Sequence, residues 1–320
     1  MLKTLVFLVG CYPSIFSMYN SEKSAFPWHE DIVAYNHIHE NKNLNFVATR
    51  QLFDQEWNAL PQPVFWQQIM AMSPDSVLIN VASNRNILAK MSQKDWDKQS
   101  QEQKNNFKDS IKLAHGLSLE ESIFVTGGKN HFYRFHDVIP HISRGVEVFA
   151  ANLVDPWYAQ AILLVESPGQ LVKSNAGAYG PFQLMKSVAI NQGLVVNKTV
   201  DERADFDKSA WAASQLLKNI CVPEAIKILR ARNIAFEETD LWFRLFVMHI
   251  YHAGAANVSK VIEAINPREG GQQLIQKMWQ TKAGGFGNAS QNYSQIVLAA
   301  LLTLDKILNE SPEFIVAENN

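Results

Sequence analysis

The chain has 320 residues, 47% hydrophobic and 19% charged, and its 29 basic and 31 acidic side chains give a formal net charge of -2. That composition suits one large or two modest domains with a real core and excludes a disordered chain. The balanced charge and the lack of a basic run argue against nucleic acid as a partner.

Taken in chain order, residues 1–19 read as an export segment. Met1-Leu2-Lys3 is a short basic start and Leu5 to Val9 is apolar. Leu8-Val9-Gly10-Cys11 looks like a bacterial lipobox, in which the Cys carries the lipid and ties the protein to a membrane. The expected location is therefore outside the cytoplasm, in the periplasm, with Cys11 as the membrane link. The other cysteine, Cys221, closes an apolar helix, so a buried lone thiol is expected rather than a disulfide. Residues 20–46 are polar and rich in His, Asn and Glu, and read as a tether or lead-in.

Residues 47–150 read as a mostly helical N-terminal domain. Pro63 to Met70 has apolar residues at helical spacing. Ser73-Pro74-Asp75-Ser76 resembles a helix start before Val77-Leu78-Ile79. Trp96 to His115 reads as one charged amphipathic helix. Ile123 to Gly128 is the single strand-like run, ending in a turn. Residues 151–310 read as a second, almost wholly helical domain. Asp155-Pro156 caps a helix with Pro at its first position. Asp207 or Ser209, Thr239-Asp240 and Ser290 are further helix starts, and Asn266-Pro267 stops a helix that begins near Val258. The last helix presents Tyr293, Ile296, Val297, Ala300, Leu301, Leu304, Ile307 and Leu308 on one face. The fold class expected is mainly α.

Within the second domain, Glu166 closes the apolar run Trp157 to Val165, and no other carboxylate stands between Pro156 and Val200. A small-residue loop, Ser174 to Gly180, follows, then Gln183-Leu184-Met185. The C-terminal end of a helix is the negative end of its dipole, and apolar neighbours add desolvation. Both favour the protonated carboxyl, the state a general acid needs near neutral pH. Gly177 and Gly180 allow a tight turn and close approach to a ligand. Ser174, Asn175 and Gln183 supply neutral hydrogen bonds. The 8 Trp and 18 Phe are mostly core, with some available to line a carbohydrate cleft.

Glu166-Ser167, Gly177-Ala178-Tyr179-Gly180-Pro181-Phe182-Gln183-Leu184-Met185 and Tyr251-His252-Ala253-Gly254 occur in this order. Together they resemble the motifs of the soluble lytic murein transglycosylases, a family with a lysozyme-like, goose-type helical catalytic domain. The resemblance covers about Val154 to Leu304. The family's Gly-Leu-Met-Gln corresponds to Gly180-Pro181-Phe182-Gln183, its Ala-Tyr-Asn-Ala-Gly to Ile250 through Gly254 with His252 in place of Asn, and its later Tyr to Tyr293. The resemblance implies a lysozyme-like catalytic domain over residues 151–310, peptidoglycan glycan strands as substrate, Glu166 as the catalytic residue, and Ser167, Ser174, Gln183, Met185, Tyr251 and Tyr293 as substrate-binding groups. It implies no metal and no other cofactor. Two other functions stay open. A hydrolytic, lysozyme-like muramidase would recruit a base from Asp201, Glu202, Asp205 or Asp207. A non-catalytic cell-wall binding or scaffold protein would use the same fold without the chemistry. A secreted, toxin-like muramidase would share the chemistry. His249 and His252 are three apart on a helix with no third metal ligand in view. His131, His136 and His141 make no face.

Overall fold

The computed structural model describes residues 26–39, 41–166, 173–174 and 176–317. The expected export segment with Cys11, and the candidate Ser167, lie outside the described residues. In chain order the elements are β1 (Ile32–His37), β2 (Lys42–Val47), α1 (Gln51–Asp54), α2 (Pro61–Ala71), β3 (Ser76–Val81), β4 (Ile87–Ser92), α3 (Gln93–Asp97), α4 (Gln101–Ala114), β5 (Ile123–Gly127) and α5 (Phe135–Ala151). The second half runs α6 (Trp157–Glu166), α7 (Lys186–Asn191), α8 (Phe206–Leu216), α9 (Val222–Arg230), α10 (Leu241–Ala253), α11 (Ala255–Ile265), α12 (Gln272–Gln280), α13 (Asn288–Glu310) and β6 (Phe314–Val316). The described residues are mainly helical, with two antiparallel three-stranded sheets ordered β2-β1-β6 and β4-β3-β5.

The sheets correct three expectations. Residues 26–39 and 41–46 are not a tether. In β2, Lys42, Asn43 and Asn45 are set against Leu44 and Phe46, each 1% exposed, so the strand buries one face. The Val47 N–H donates to Gln160 Oε1 and the Val47 carbonyl accepts from Gln160 Nε2, both at 2.9 Å. β6 returns from the far end of the chain to pair with β1. Two apolar residues in alternation are too short a pattern to stand out in a polar stretch. Nor does Ser73-Pro74-Asp75 start a helix. The Ser76 N–H closes a turn onto the Ser73 carbonyl, and the chain enters β3. β3 is the central strand, buried from Val77 to Val81 on both faces, and its continuous apolar run carries no alternation to distinguish it from a buried helix. The mostly helical N-terminal domain therefore holds a sheet between its helices. Finally, the stretch from Trp96 to His115 is two helices. Ser100 and Gln103 form a capping box that starts α4 afresh after α3.

One apolar core runs from Tyr35 to Phe314 and crosses the expected boundary at 150/151, where α5 packs along α6. The portion with a core of its own is smaller. Val77, Ile79, Val81 and Ile123 of the second sheet pack against Trp96, Phe107 and Ile111 of α3 and α4. Cys221 is buried and free, in the π-helical turn that joins α8 to α9. No helix among the described residues is long and apolar enough to cross a membrane.

Arg244 on α10 ties these parts together. Its side chain is 3% exposed, with Nε 2.7 Å from Asp155 Oδ2 and Nη2 3.2 Å from Asp31 Oδ2. Asp155 also accepts the Trp157 N–H at 3.0 Å, so one carboxylate caps α6 and pairs with α10. Burial opposes the guanidinium charge, and the two carboxylates more than reverse this, so the Arg244 pKa lies above its ordinary value. Removing one partner of a buried pair leaves the other uncompensated. Arg244→Met is therefore expected to lower the unfolding free energy by about 3–5 kcal/mol, read by denaturant unfolding. A loss below about 1 kcal/mol would show that the pair behaves as a surface bridge.

Candidate active site

α6 is buried along its whole length up to the last residue, from Trp157 to Val165. A helix apolar all round belongs in a core. Its one strongly polar buried side chain, Gln160, is satisfied by the backbone of Val47. Glu166 ends the helix and is the residue at which α6 reaches an opening. It lines a cleft of about 730 Å³ between the helical half and the β4-β3-β5 sheet.

Glu166 sits in an environment that favours its neutral form. Burial raises its pKa above the ordinary carboxyl value, and the Tyr293 hydroxyl, acting as a donor, takes back part of the rise. The Tyr293 hydroxyl is buried and meets the full geometry of a hydrogen bond with no group, so this donor is only partly engaged. Tyr133 is buried and Tyr251 half-buried, both close enough to feel the same carboxyl. All three phenols are pushed up, first by burial and then by the Glu166 charge. His252, standing where the resembled motif has Asn, stacks on Tyr293 with ring centres 4.2 Å apart and planes 18° apart. Desolvation on this side lowers its pKa below the ordinary imidazole value.

Of the substrate-binding candidates, Tyr293 shares the cleft with Glu166. Tyr251 donates to the Phe182 carbonyl at 2.5 Å and so supports the loop beside the acid. Ser174, Gln183 and Met185 are not among the described residues lining this cleft. Ser174 Oγ accepts the Ala178 N–H at 2.9 Å and Gln183 Nε2 donates to the Gly180 carbonyl at 3.0 Å, so these two hold their own loop. Met185 precedes α7 and is 41% exposed. The loop is fastened by buried Arg203, whose Nη1 donates to the Gly177 and Leu184 carbonyls at 3.0 and 2.9 Å. Gly180 has φ +86°, and a Cβ there would come within 1.8 Å of the Arg203 carbonyl oxygen, so this position requires glycine.

The four acids weighed as hydrolytic bases are used elsewhere. Asp201 pairs with Arg203 at 2.7 Å, and the guanidinium lowers its pKa. Glu202 pairs with Lys208, Asp205 caps α8 through the Lys208 N–H, and Asp207 takes both arms of Arg144. None lines the cleft. His249 is a core group. Its Nε2 is 2.8 Å from Ser294 Oγ, which accepts the Trp279 indole N–H, and burial pushes its pKa down to about 3.

The opposite wall comes from the region that carried no functional signal in the sequence. It presents Trp66 from α2, Arg85 from the β3–β4 turn, Trp96 from α3, Lys108 from α4, Phe124 from β5 and Lys129. Trp and Phe were legible only as a general supply of aromatics. Arg85 sits in Asn84-Arg85-Asn86, which resembles any polar turn. The pairing of these residues with Glu166 exists only once β5 folds back onto β3.

Comparison of the chain with known families, with curated proteins and with solved structures finds no match in any of them.

The raised Glu166 pKa has a consequence for stability. A carboxyl whose pKa is higher folded than unfolded contributes stability that is fully present below the unfolded pKa. That contribution is lost as pH rises through the folded value. Glu166→Gln keeps a neutral group and escapes the loss. The variant is expected to gain thermal stability relative to the parent as pH rises from about 4 to about 8, with the gap closing at the acid end. A gap independent of pH would mean that Glu166 ionises as freely in the fold as outside it.

Proposed function

We propose that the protein is a peptidoglycan lytic transglycosylase, built on a lysozyme-like arrangement of helices around α6, with Glu166 as acid and then base. The observation that carries this reading is that Glu166 is the sole carboxylate among the described residues lining the cleft, and its surroundings favour the protonated state. In the first step the Glu166 carboxyl gives its proton to the oxygen linking N-acetylmuramic acid to N-acetylglucosamine, and the bond from the anomeric carbon to that oxygen breaks. In the second, the muramic C6 hydroxyl attacks the anomeric carbon and its proton passes to the Glu166 carboxylate. A 1,6-anhydro end results, and the enzyme is restored. One carboxyl suffices because the nucleophile belongs to the substrate, whereas most glycosidases need a second carboxylate to activate water or attack carbon.

Several features support this reading over its rivals. A hydrolytic muramidase needs a base for water, and Asp201, Glu202, Asp205 and Asp207 are committed to ion pairs or a helix cap away from the cleft. The segment between Glu166 and Ser174 adds no carboxylate in sequence. A binding scaffold has no use for a half-buried acid of raised pKa, which costs stability. Trp96, half-buried in the cleft wall, is an aromatic of the kind that stacks on sugar rings. Tyr293 and His252 form a stacked platform beside the acid. The substrate also implies a location outside the cytoplasmic membrane, in keeping with the reading of residues 1–19 and Cys11.

Mass spectrometry of muropeptides released from purified sacculi tests the proposal. The parent is expected to release anhydro-ended fragments, and Glu166→Gln to lose on the order of 10²–10⁴-fold in rate, the usual contribution of a general acid. Reducing ends in the parent products would replace the proposal with hydrolysis. Sacculi bound without release would replace it with a scaffold.

A further inference from the structure

Among the described residues Arg85 is the one strongly buried cation of the cleft, and none of them supplies its charge with a counterion. The residue is 5% exposed and lines the same cleft as Glu166. Its Nη1 donates to Asn80 Oδ1 at 3.0 Å and its Nη2 to Asn292 Oδ1 at 2.7 Å. Both partners are neutral amides, so they fix the plane of the guanidinium without balancing its charge. Its Nε–H is buried and has no acceptor among the described residues. The remaining neighbours are the faces of Phe65, Trp66 and Phe124, 5.0 to 5.7 Å from the guanidinium carbon. Aromatic faces ease the desolvation of a cation but do not supply an anion. No carboxylate among the described residues pairs with it.

The surrounding structure is built to hold the group there. Asn80 is wholly buried on the central strand β3, and its amide nitrogen donates to the carbonyls of Leu78 and Phe124 and to Thr126 Oγ1. All that is left of Asn80 is the oxygen that receives Arg85. The β3–β4 register shifts at Ile79/Asn80, a bulge that re-aims this part of the hairpin. Arg85 itself has φ +62°, a left-handed conformation uncommon for a long side chain. Asn292 lies next to Tyr293 on α13, so Arg85 also bridges the sheet to the helix that faces the acid. Lys129 stands 6.0 Å from the centre of the Trp66 ring that Arg85 also approaches. A second cation therefore lies across the same indole. Burial lowers the Arg85 pKa to about 10, which leaves it charged at neutral pH. It is not among the groups that shift Glu166, so the cation and an acid of raised pKa share one cleft.

We propose that Arg85, with Lys129 beside Trp66, is a carboxylate-binding site of this cleft that holds an anionic group of the substrate while Glu166 acts on the glycosidic bond. The planar guanidinium fork suits the two oxygens of a carboxylate, and an arriving carboxylate supplies the missing counterion. This rests on the transglycosylase reading, in which two sources of carboxylate exist. One is the lactyl group of N-acetylmuramic acid once its peptide has been removed, and the other is the stem peptide.

The test is calorimetric binding to the Glu166→Gln protein, which leaves the glycan uncut. Four ligands are compared: stem-free glycan strands, the same strands with carboxyls amidated, peptide-bearing strands, and a neutral N-acetylglucosamine oligomer. Amidation is expected to weaken binding at least about tenfold, the worth of a charged hydrogen-bonded pair. Adding Arg85→Gln should abolish that difference and leave the neutral oligomer unaffected, and Arg85→Lys should restore part of it. A difference seen with stem-free strands assigns the lactyl group, and one confined to peptide-bearing strands assigns the peptide. Equal affinity for acid and amide forms in the Glu166→Gln protein overturns the proposal, and that comparison needs no change at Arg85. If no glycan binds, the substrate reading fails, and the anion site is then judged by the Arg85 Nε–H resonance of the parent protein. A shift that saturates with sodium acetate and not with sodium chloride supports the site, and an identical response to both salts overturns it.

Discussion

The burial of α6 is the constraint on which the rest of the structure depends. A helix enclosed on all sides from Trp157 to Val165 leaves few places for polar atoms, and each one is met. Gln160 is clamped by the backbone of Val47, and Asp155 is held by Arg244 as it caps the first turn. β2 reaches this helix through the Val47–Gln160 pair, and α5 and α13 pack along it. Because the helix is fixed so firmly, the position of its last residue is fixed as well. Glu166 emerges where the enclosure ends, partly buried, at the negative end of the helix dipole. Its raised pKa follows from that position more than from any single partner.

A cleft needs a second wall, and here it comes from a unit with its own small core. The β4-β3-β5 sheet and α3–α4 bury Val77, Ile79, Val81 and Ile123 among themselves and present Arg85, Trp96, Lys108 and Phe124 toward Glu166. A buried hydrogen bond from Arg85 to Asn292 ties this unit to α13, and the indole of Trp66 on α2 donates to Gln295 of the same helix at 3.1 Å. The same helix carries Tyr293. The acid, its donor and the cationic wall are thus registered through α13 rather than through direct contact. The chemistry is divided between the walls. The helical half favours the neutral acid by burial, and the sheet half keeps cations apart from it.

Part of this was legible in the sequence, for identifiable reasons. The α6 run and its terminal acid stand out because the segment is uniformly apolar and the next carboxylate is far along the chain. The cap at Asp155, the strand over Ile123–Gly127 and the stop at Asn266 follow local rules that tertiary contacts did not override. The misread segments are those whose local pattern is ambiguous. β3 is buried on both faces and lost its alternation, and β2 is a short alternation inside a polar stretch. The loop residues Ser174 and Gln183 were read for their hydrogen-bonding chemistry, and each makes a bond within its own loop, to the Ala178 N–H and the Gly180 carbonyl. Arg85 was invisible because nothing local marks a turn arginine as buried. Its environment is made by Phe65, Trp66, Phe124 and Asn292, which only the fold assembles.

The central claim is that the fold raises the pKa of Glu166 above that of an ordinary glutamate, toward the state a general acid needs. Carboxyl-labelled glutamate NMR, titrated with pH in the parent and with Glu166→Gln to assign the signal, reads that state directly. The account predicts one carboxyl whose midpoint lies above the ordinary glutamate value of about 4.3 and whose signal is absent from the variant. A Glu166 midpoint at or below that value would contradict the account, because the cleft would then hold a carboxylate with no proton to give.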